Sequence, residues 1–198
     1  MIINAITGYS ASVRKRSKIL PAFIEDVLSD MGDQKPVHIE RHYVYSSTRG
    51  CIQESLKFIH ERPLEPVLLV GKSLGAIRTW WMLYQSWGDL VGRASKIGVV
   101  LIDPHGWQVG DKTSGSYCKR KSLPWKSGWD DSGIRITVLY QWNKYPTGAK
   151  MQGGHGWPLL YNFKLDSKAT HWNVTSIKSQ AGMDCAHEIQ KMIKWLDS

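Results

Sequence analysis

The sequence predicts an α/β protein built on a mostly parallel sheet of about six strands, with helices on both faces. Short apolar runs alternate with segments of helical periodicity along most of the 198 residues. The run Ile97–Ile102 is apolar throughout, as expected of a strand that a parallel sheet buries on both faces. Pro66–Val70 leads without a break into a glycine-bracketed turn and then a helix, which is typical of a doubly wound sheet.

The predicted elements alternate between strand and helix along the chain. Strands are predicted where short apolar or alternating runs occur, at Met1–Thr7, Val37–Tyr45, Pro66–Val70, Ile97–Ile102, Ile134–Trp142 and Ala169–Ile177. Helices are predicted where apolar residues recur at helical spacing, at Ser12–Met31, Arg49–Arg62, Leu74–Trp87 and Cys185–Leu196. Pro21 is expected to kink the first helix or to open its second part, and Pro63 ends the second helix.

Two long segments interrupt this alternation. Residues 105–133 are rich in Gly, Trp, Ser and Lys and are weakly periodic, and residues 144–168 behave likewise. Loops of this length in a compact domain are commonly functional lids or caps. We therefore expect a single domain over residues 1–198, with lid-like insertions at these two segments. Their tryptophans are expected either to pack in the core or to line a pocket.

The most informative motif is Gly71-Lys72-Ser73-Leu74-Gly75, which joins a predicted strand to a predicted helix. In this setting a G-x-S-x-G turn strains the serine backbone and projects the hydroxyl from the end of the sheet. The N-terminus of the following helix favours negative charge that develops nearby. Such a turn also occurs for purely structural reasons, but the flanking strand and helix favour Ser73 as a nucleophile. We expect Lys72 to point toward solvent.

A nucleophilic serine needs a base, and the base needs a carboxylate that orients it. In proteins with such an elbow, the acid and then the histidine follow later strands of the sheet. Asp103 comes directly after the strand Ile97–Ile102 and is the predicted acid, although a turn role before Pro104 is the alternative. The next strand is followed by no nearby carboxylate, which strengthens Asp103.

The base is expected in the loop between the last strand and the final helix. His187 fits that place and is the preferred candidate. His171, at or within the predicted last strand, is the alternative base. A surface position on a helix capped by Asp184 is the structural alternative for His187.

An oxyanion hole needs two backbone N–H groups aimed at the developing charge. Leu74 follows the nucleophile and is expected to supply one of them. Tyr9 or Ser10, in the loop after the first strand, is expected to supply the other, and Gly8 allows the backbone to approach closely.

Composition restricts the class of partner and the compartment. The formal net charge of +9 favours an anionic partner, but the basic residues lack the organisation of a nucleic-acid motif, which argues against nucleic acid. The three cysteines lack metal-ligand spacing, so reduced thiols and no metal are expected. No apolar run reaches the length of a membrane span, and the first residues resemble a buried strand more than a signal peptide. These features predict a cytoplasmic protein.

With these residues in place, the chain resembles the α/β-hydrolase superfamily in a small lipase- or esterase-like form of microbial or phage type. The matching pieces are the elbow around Ser73, the segment Ile102-Asp103-Pro104, and a late histidine before a terminal helix. The resemblance implies a three-layer α/β-hydrolase-like sandwich. The chain departs from the common pattern at Lys72, where His or Tyr is more frequent, and it lacks an HGGG-type oxyanion loop.

The resemblance implies a serine hydrolase that needs no cofactor. Ser73 attacks an ester, thioester or amide, His187 moves the proton, Asp103 orients His187, and water hydrolyses the acyl-enzyme. The acyl substrate is a small molecule or a polymer, and the positive charge favours an anionic one. The alternative is a non-catalytic binding protein on the same scaffold, with a basic, tryptophan-rich surface for an anionic partner.

Overall fold

The computed structural model describes residues 1–7, 19–32, 39–42, 48–92, 94–105, 122–123, 126, 128–129, 133–143, 150–151 and 160–198. The strands in these ranges are β1 (Ile2–Ile6), β2 (Ile39–His42), β3 (Val67–Lys72), β4 (Ile97–Ile102), β5 (Ser122–Leu123), β6 (Arg135–Tyr140), β7 (Lys150–Met151) and β8 (Leu160–Lys164). The helices are α1 (Ile19–Asp30), α2 (Thr48–His60), α3 (Leu74–Gln85), α4 (Trp87–Val91) and α5 (Gln180–Asp197).

The main sheet has six strands in the order β2-β1-β3-β4-β6-β8, and every neighbouring pair is parallel. This confirms the predicted fold class. The strand order reverses at β1, which lies between β2 and β3, so the carboxyl ends of β1 and β3 form the switch point of the sheet. Ligands of open α/β sheets bind at that edge.

Two apolar cores cover the two faces of the sheet. Helices α2, α3 and α4 enclose one core, which includes Trp80 and Leu69. Helices α1 and α5 enclose the other, which includes Phe23 and Val70. Because side chains alternate along a strand, consecutive residues of β3 enter opposite cores, and this explains why residues 67–70 of β3 and all of β4 lack polar side chains.

The last strand of the main sheet differs from the prediction. The predicted strand Ala169–Ile177 is a series of turns, and the sixth strand is β8, inside the segment predicted as a lid-like insertion. β8 was difficult to recognise because it is an edge strand with mixed exposure along its length. Helix α5 begins at Gln180 and therefore reaches further toward the N-terminus than predicted.

Candidate active site

The elbow places Ser73 between the last residue of β3 and the first residue of α3. Its backbone has φ 58° and ψ −126°, a positive φ that costs a non-glycine residue about 1–3 kcal/mol. Backbone hydrogen bonds hold this conformation. The Ser73 N–H donates to the carbonyl of Ile102 (2.9 Å), and the Ser73 carbonyl accepts from the N–H groups of Ala76 (3.0 Å) and His105 (3.2 Å). The strained serine is therefore locked to the end of β4.

The two glycines of the elbow allow the strand and the helix to approach closely. A Cβ on Gly71 would lie 2.5 Å from the Oγ1 of Thr79 and 2.6 Å from the Cα of Ala76. A Cβ on Gly75 would overlap the backbone carbonyl of Ile6 in β1. At both positions, α3 therefore packs too closely against the sheet to leave room for a side chain.

Asp103 follows β4 directly and is completely buried. Its Oδ2 lies 2.6 Å from the Nδ1 of His171, and its Oδ1 accepts from the backbone N–H of Gln141 (3.4 Å). Its own N–H donates to the carbonyl of Leu139 (2.6 Å). The predicted acid, Asp103, therefore contacts a histidine. Hydrogen bonds with residues at the end of β6 hold Asp103 in place.

That histidine is the alternative base and not the preferred one. His187 lies inside α5 on the exposed side of the helix, whereas Asp103 is buried and its Oδ2 contacts His171. The structure therefore places His171, and not the preferred His187, against Asp103. The preference for His187 followed from the misplaced last strand: because β8 ends at Lys164, the loop before the final helix holds His171.

We call residues 165–179 the histidine loop. One side-chain amide before the loop and one within it fix its path. Asn143, after β6, donates through Nδ2 to the carbonyls of Asp166 (2.5 Å) and Ala169 (3.3 Å). Within the loop, the Oδ1 of Asn173 accepts from the N–H of Thr170 (2.7 Å). Sequence reasoning missed both asparagines, although Asn is a common stabiliser of turns through such side-chain bonds.

His105 connects the serine with the histidine. Its backbone carbonyl accepts a hydrogen bond from the Oγ of Ser73 (3.3 Å). Its ring meets the ring of His171 edge to face, with the centroids 5.9 Å apart. Ser73 and Asp103 thus lie at the carboxyl ends of the neighbouring strands β3 and β4, and His171 of the histidine loop contacts Asp103 and the ring of His105.

The oxyanion-hole residues are only partly described. Leu74 is the first residue of α3, where helix geometry gives its N–H no acceptor within the helix. Tyr9 and Ser10 lie outside the described residues. Among the described residues, the N-terminus of α3 supplies partial positive charge beside Ser73.

Lys72 does not point toward solvent as expected. It is partly buried, and its Nζ donates to the Oγ1 of Thr175 in the histidine loop (2.8 Å). Burial lowers the pKa of Lys72 from 10.5 to about 8, while attraction to Asp103 and Cys185 acts in the opposite direction. Cys185, in α5, is a free buried thiol whose pKa burial raises, with a further contribution from Asp184.

Exposed aromatic side chains lie near this edge of the sheet. Trp172 is 67% exposed, and its ring meets that of His171 edge to face with the centroids 5.3 Å apart. Trp142, after β6, lies beneath the ammonium groups of Lys150 and Lys164 at 5.9 and 5.8 Å. Trp129, in contrast, is fully buried. The tryptophans are therefore divided between the core and the surface.

Two further features concern the residues that the structure describes. Among them, no group of three or more His, Cys, Asp or Glu side chains is arranged to hold a metal ion. None of the helices described is long and apolar enough to cross a membrane.

Comparison with known proteins rests on structure, because no protein-family model and no curated protein matches the chain. The ydeN gene product of B. subtilis superposes with a TM-score of 0.58 at 9% identity, covering 98% of each chain. An extracellular α/β-hydrolase from a Paenibacillus species gives 0.53 at 12% identity, covering 97% of this chain and 98% of its own.

A third similar structure is the NocB thioesterase domain, in covalent complex with a fluorophosphonate nocardicin G analog. It gives a TM-score of 0.54 at 12% identity and covers 97% of this chain and 94% of that domain. Identities this low establish the fold and leave function to the site itself. Six parallel strands, the elbow after β3 and these likenesses show that the chain has the α/β-hydrolase fold.

Proposed function

We propose that the protein is a serine hydrolase that cleaves a carboxylic ester, or a related thioester or amide, through an acyl-enzyme on Ser73. The observation that supports this most strongly is the contact of 2.6 Å between Asp103 and His171 beside a strained serine elbow. A buried carboxylate bound to a histidine that is only 8% exposed, at the sheet edge where Ser73 projects, is the arrangement that nucleophilic catalysis requires.

In the proposed reaction, Asp103 accepts the Nδ1–H of His171 and leaves the lone pair of Nε2 available. The hydroxyl of Ser73 turns from the carbonyl of His105 toward Nε2. As Oγ attacks the carbonyl carbon, its proton passes to Nε2, and the carbonyl oxygen becomes an oxyanion. The oxyanion collapses, the bond to the leaving group breaks, and the leaving group takes the proton from Nε2.

Water completes the cycle. Nε2 removes a proton from water, the hydroxide attacks the acyl carbon, and Ser73 recovers its proton as the acid product leaves. The oxyanion of each step is stabilised by the N–H of Leu74 and by the positive end of α3. Tyr9 or Ser10 is the proposed source of the second donor.

The proposed substrate is an acyl compound, small or polymeric, that carries negative charge and an apolar or ring-shaped part. The net charge of +9 raises the local concentration of anions. The exposed face of Trp172, directly beside His171, offers an apolar platform for the acyl or leaving group. We further propose a cytoplasmic setting, in which the free thiol of Cys185 stays reduced.

Hydrolysis of p-nitrophenyl esters of increasing acyl length tests the proposal. His171→Ala and His187→Ala form a matched pair, because both remove an imidazole and only one contacts Asp103. We expect Ser73→Ala and His171→Ala to lower kcat/KM by at least about 10³-fold and His187→Ala to leave it within about twofold. Equal activity of Ser73→Ala and the unaltered protein would exclude the proposed mechanism.

A binding role without catalysis is the second candidate, and the patch of Trp142, Lys150 and Lys164 favours it. An exposed indole beneath two ammonium groups can hold an anionic partner through charge and stacking. Two pairs of variants distinguish the two candidate functions. If Ser73→Ala and His171→Ala retain the protein's biological effect while Lys150→Glu and Lys164→Glu lose it, the binding role is correct.

A further inference from the structure

Lys72 occupies the second position of the elbow motif, and strand geometry decides where it points. Side chains alternate along β3, so Lys72 shares the face of Leu68 and Val70, which belong to the core under α1 and α5. In the sheet register it pairs with Ile102, the residue before Asp103. Lys72 therefore lies on the face of the sheet that α1 and α5 cover, where its Nζ reaches the histidine loop.

Three groups act on the ammonium of Lys72, each from a different part of the fold. Asp103, after β4, attracts it, and Thr175 of the histidine loop accepts its hydrogen bond at 2.8 Å. The thiol of Cys185 acts on it from α5, and burial raises the pKa of that thiol. Of these three groups, Asp103 is the one that carries a carboxylate and can pair its charge with the ammonium.

The electrostatic need for this cation follows from the proposed reaction. When His171 is neutral and ready to act as a base, the Asp103–His171 pair carries one negative charge, and its carboxylate is completely buried. A buried charge without a counter-charge is costly, and such a pair tends to take up a proton. A protonated pair has no base for Ser73.

We propose that Lys72 is a positioning residue that supplies the counter-charge of the Asp103–His171 pair and ties the histidine loop to the elbow. This inference rests on the proposed function and deepens it, because it gives a role to the residue where the motif departs from its common form. Lys72 acts through Asp103 and Thr175 and does not touch the substrate.

Three substitutions separate the charge of Lys72 from its hydrogen bond. Lys72→Met removes both, Lys72→Arg keeps the charge, and Thr175→Val removes the acceptor while keeping the charge. The first readout is the pH–rate profile of Ser73-dependent ester hydrolysis. We expect Lys72→Met to move the acid limb of kcat/KM to higher pH by about one unit and to lower kcat/KM near neutral pH.

Lys72→Arg is expected to restore the position of the acid limb. Thr175→Val is expected to leave the limb in place and to lower kcat severalfold, because it loosens the loop without changing the charge. A purely structural lysine would lower the rate in all variants without moving the limb. An unmoved limb in Lys72→Met would overturn the inference.

A second readout does not depend on activity. In a Ser73→Ala background, the titration of the His171 ring is followed by NMR with and without Lys72→Met. The midpoint is expected to rise by about one pH unit in Lys72→Met and to return with Lys72→Arg. If the unaltered protein shows no Ser73-dependent hydrolysis, the proposed function fails. The titration still decides whether Lys72 is coupled to the pair, and an unmoved midpoint overturns that coupling.

Discussion

The Nδ1 of His171 lies 2.6 Å from the Oδ2 of Asp103, although 68 residues separate them in the sequence. The contact depends on two features of the fold. Asp103 is placed by the end of β4, and His171 by a loop that hydrogen bonds of Asn143 and Asn173 hold in shape. A carboxylate this close to Nδ1 fixes Nε2 as the imidazole nitrogen that remains available to act as a base.

This relationship predicts the effect of Asp103→Asn. The amide keeps the volume of the side chain, so the fold should persist, but its NH₂ group can turn toward Nδ1 and favour the wrong tautomer of His171. We expect kcat/KM for ester hydrolysis to fall by about 10³–10⁴-fold. Thermal unfolding measured in parallel should change little. A variant that retains a tenth of the activity would argue against an acid role for Asp103.

Gly75→Ala should destabilise the fold, because the new Cβ would overlap the carbonyl of Ile6, and backbone atoms cannot easily move aside. We expect a loss of at least about 3 kcal/mol in the free energy of unfolding, measured by denaturant titration. Gly88→Ala is the matched control, since a Cβ there meets no atom within 4 Å. That control should be neutral or stabilising by up to about 1 kcal/mol. Equal effects of the two substitutions would contradict the close packing of α3 on β1.

The lowered pKa of Lys72 predicts a pH dependence of stability. Between about 8 and 10.5 the folded protein has lost the proton of Lys72 while the unfolded chain still holds it. Stability therefore rises with pH in that window, relative to a chain without this lysine. The free energy of unfolding of the unaltered protein minus that of Lys72→Met should increase by at most about 3 kcal/mol. A constant difference across the window would contradict the burial of Lys72.

Subtracting the free energy of unfolding of Lys72→Met also removes the contribution of Cys185, whose pH dependence has the opposite sign. The pKa of its buried thiol is raised, so the folded protein keeps a proton that the unfolded chain releases above pH 9.0. Stability falls with increasing pH for that reason in both proteins. The comparison of the two chains therefore isolates Lys72.

Trp172→Ala tests the platform beside His171. The side chain is 67% exposed, so its loss should cost little stability. We expect KM for long-chain or aromatic esters to rise about tenfold, with little change for an acetyl ester. Tyr161→Ala, an aromatic 50% exposed near the amino-terminal end of β8, is the control and should not alter KM. The same rise in both variants would remove Trp172 from the substrate site.

The sequence supported prediction best where burial was complete. Residues 67–70 of β3 and all of β4 are apolar because each strand enters both cores, so both strands and the residues that follow them, Ser73 and Asp103, could be recognised. β8 has mixed exposure at the sheet edge, and its pattern is weak. The segment around Val174 mimics a strand in its apolar spacing, but Thr170 and Asn173 hold it in turns.

The misplaced last strand led to the preference for His187. With the last strand placed at Ala169–Ile177, the next histidine along the chain is His187, whereas the end of β8 at Lys164 leaves His171 in the loop. Lys72 was misjudged for a different reason. A lysine is expected at the surface from its chemistry alone, and only the position of Thr175, far along the chain, reveals its partner.

The most direct test of the central claim is covalent labelling with a fluorophosphonate, followed by peptide mass spectrometry to locate the adduct. We expect one adduct on Ser73 in the unaltered protein and in His187→Ala, no adduct in Ser73→Ala, and labelling slowed by at least about 10³-fold in His171→Ala. An unlabelled native protein, or an adduct that persists in Ser73→Ala, would contradict the assignment of Ser73 as a nucleophile activated by His171 and Asp103.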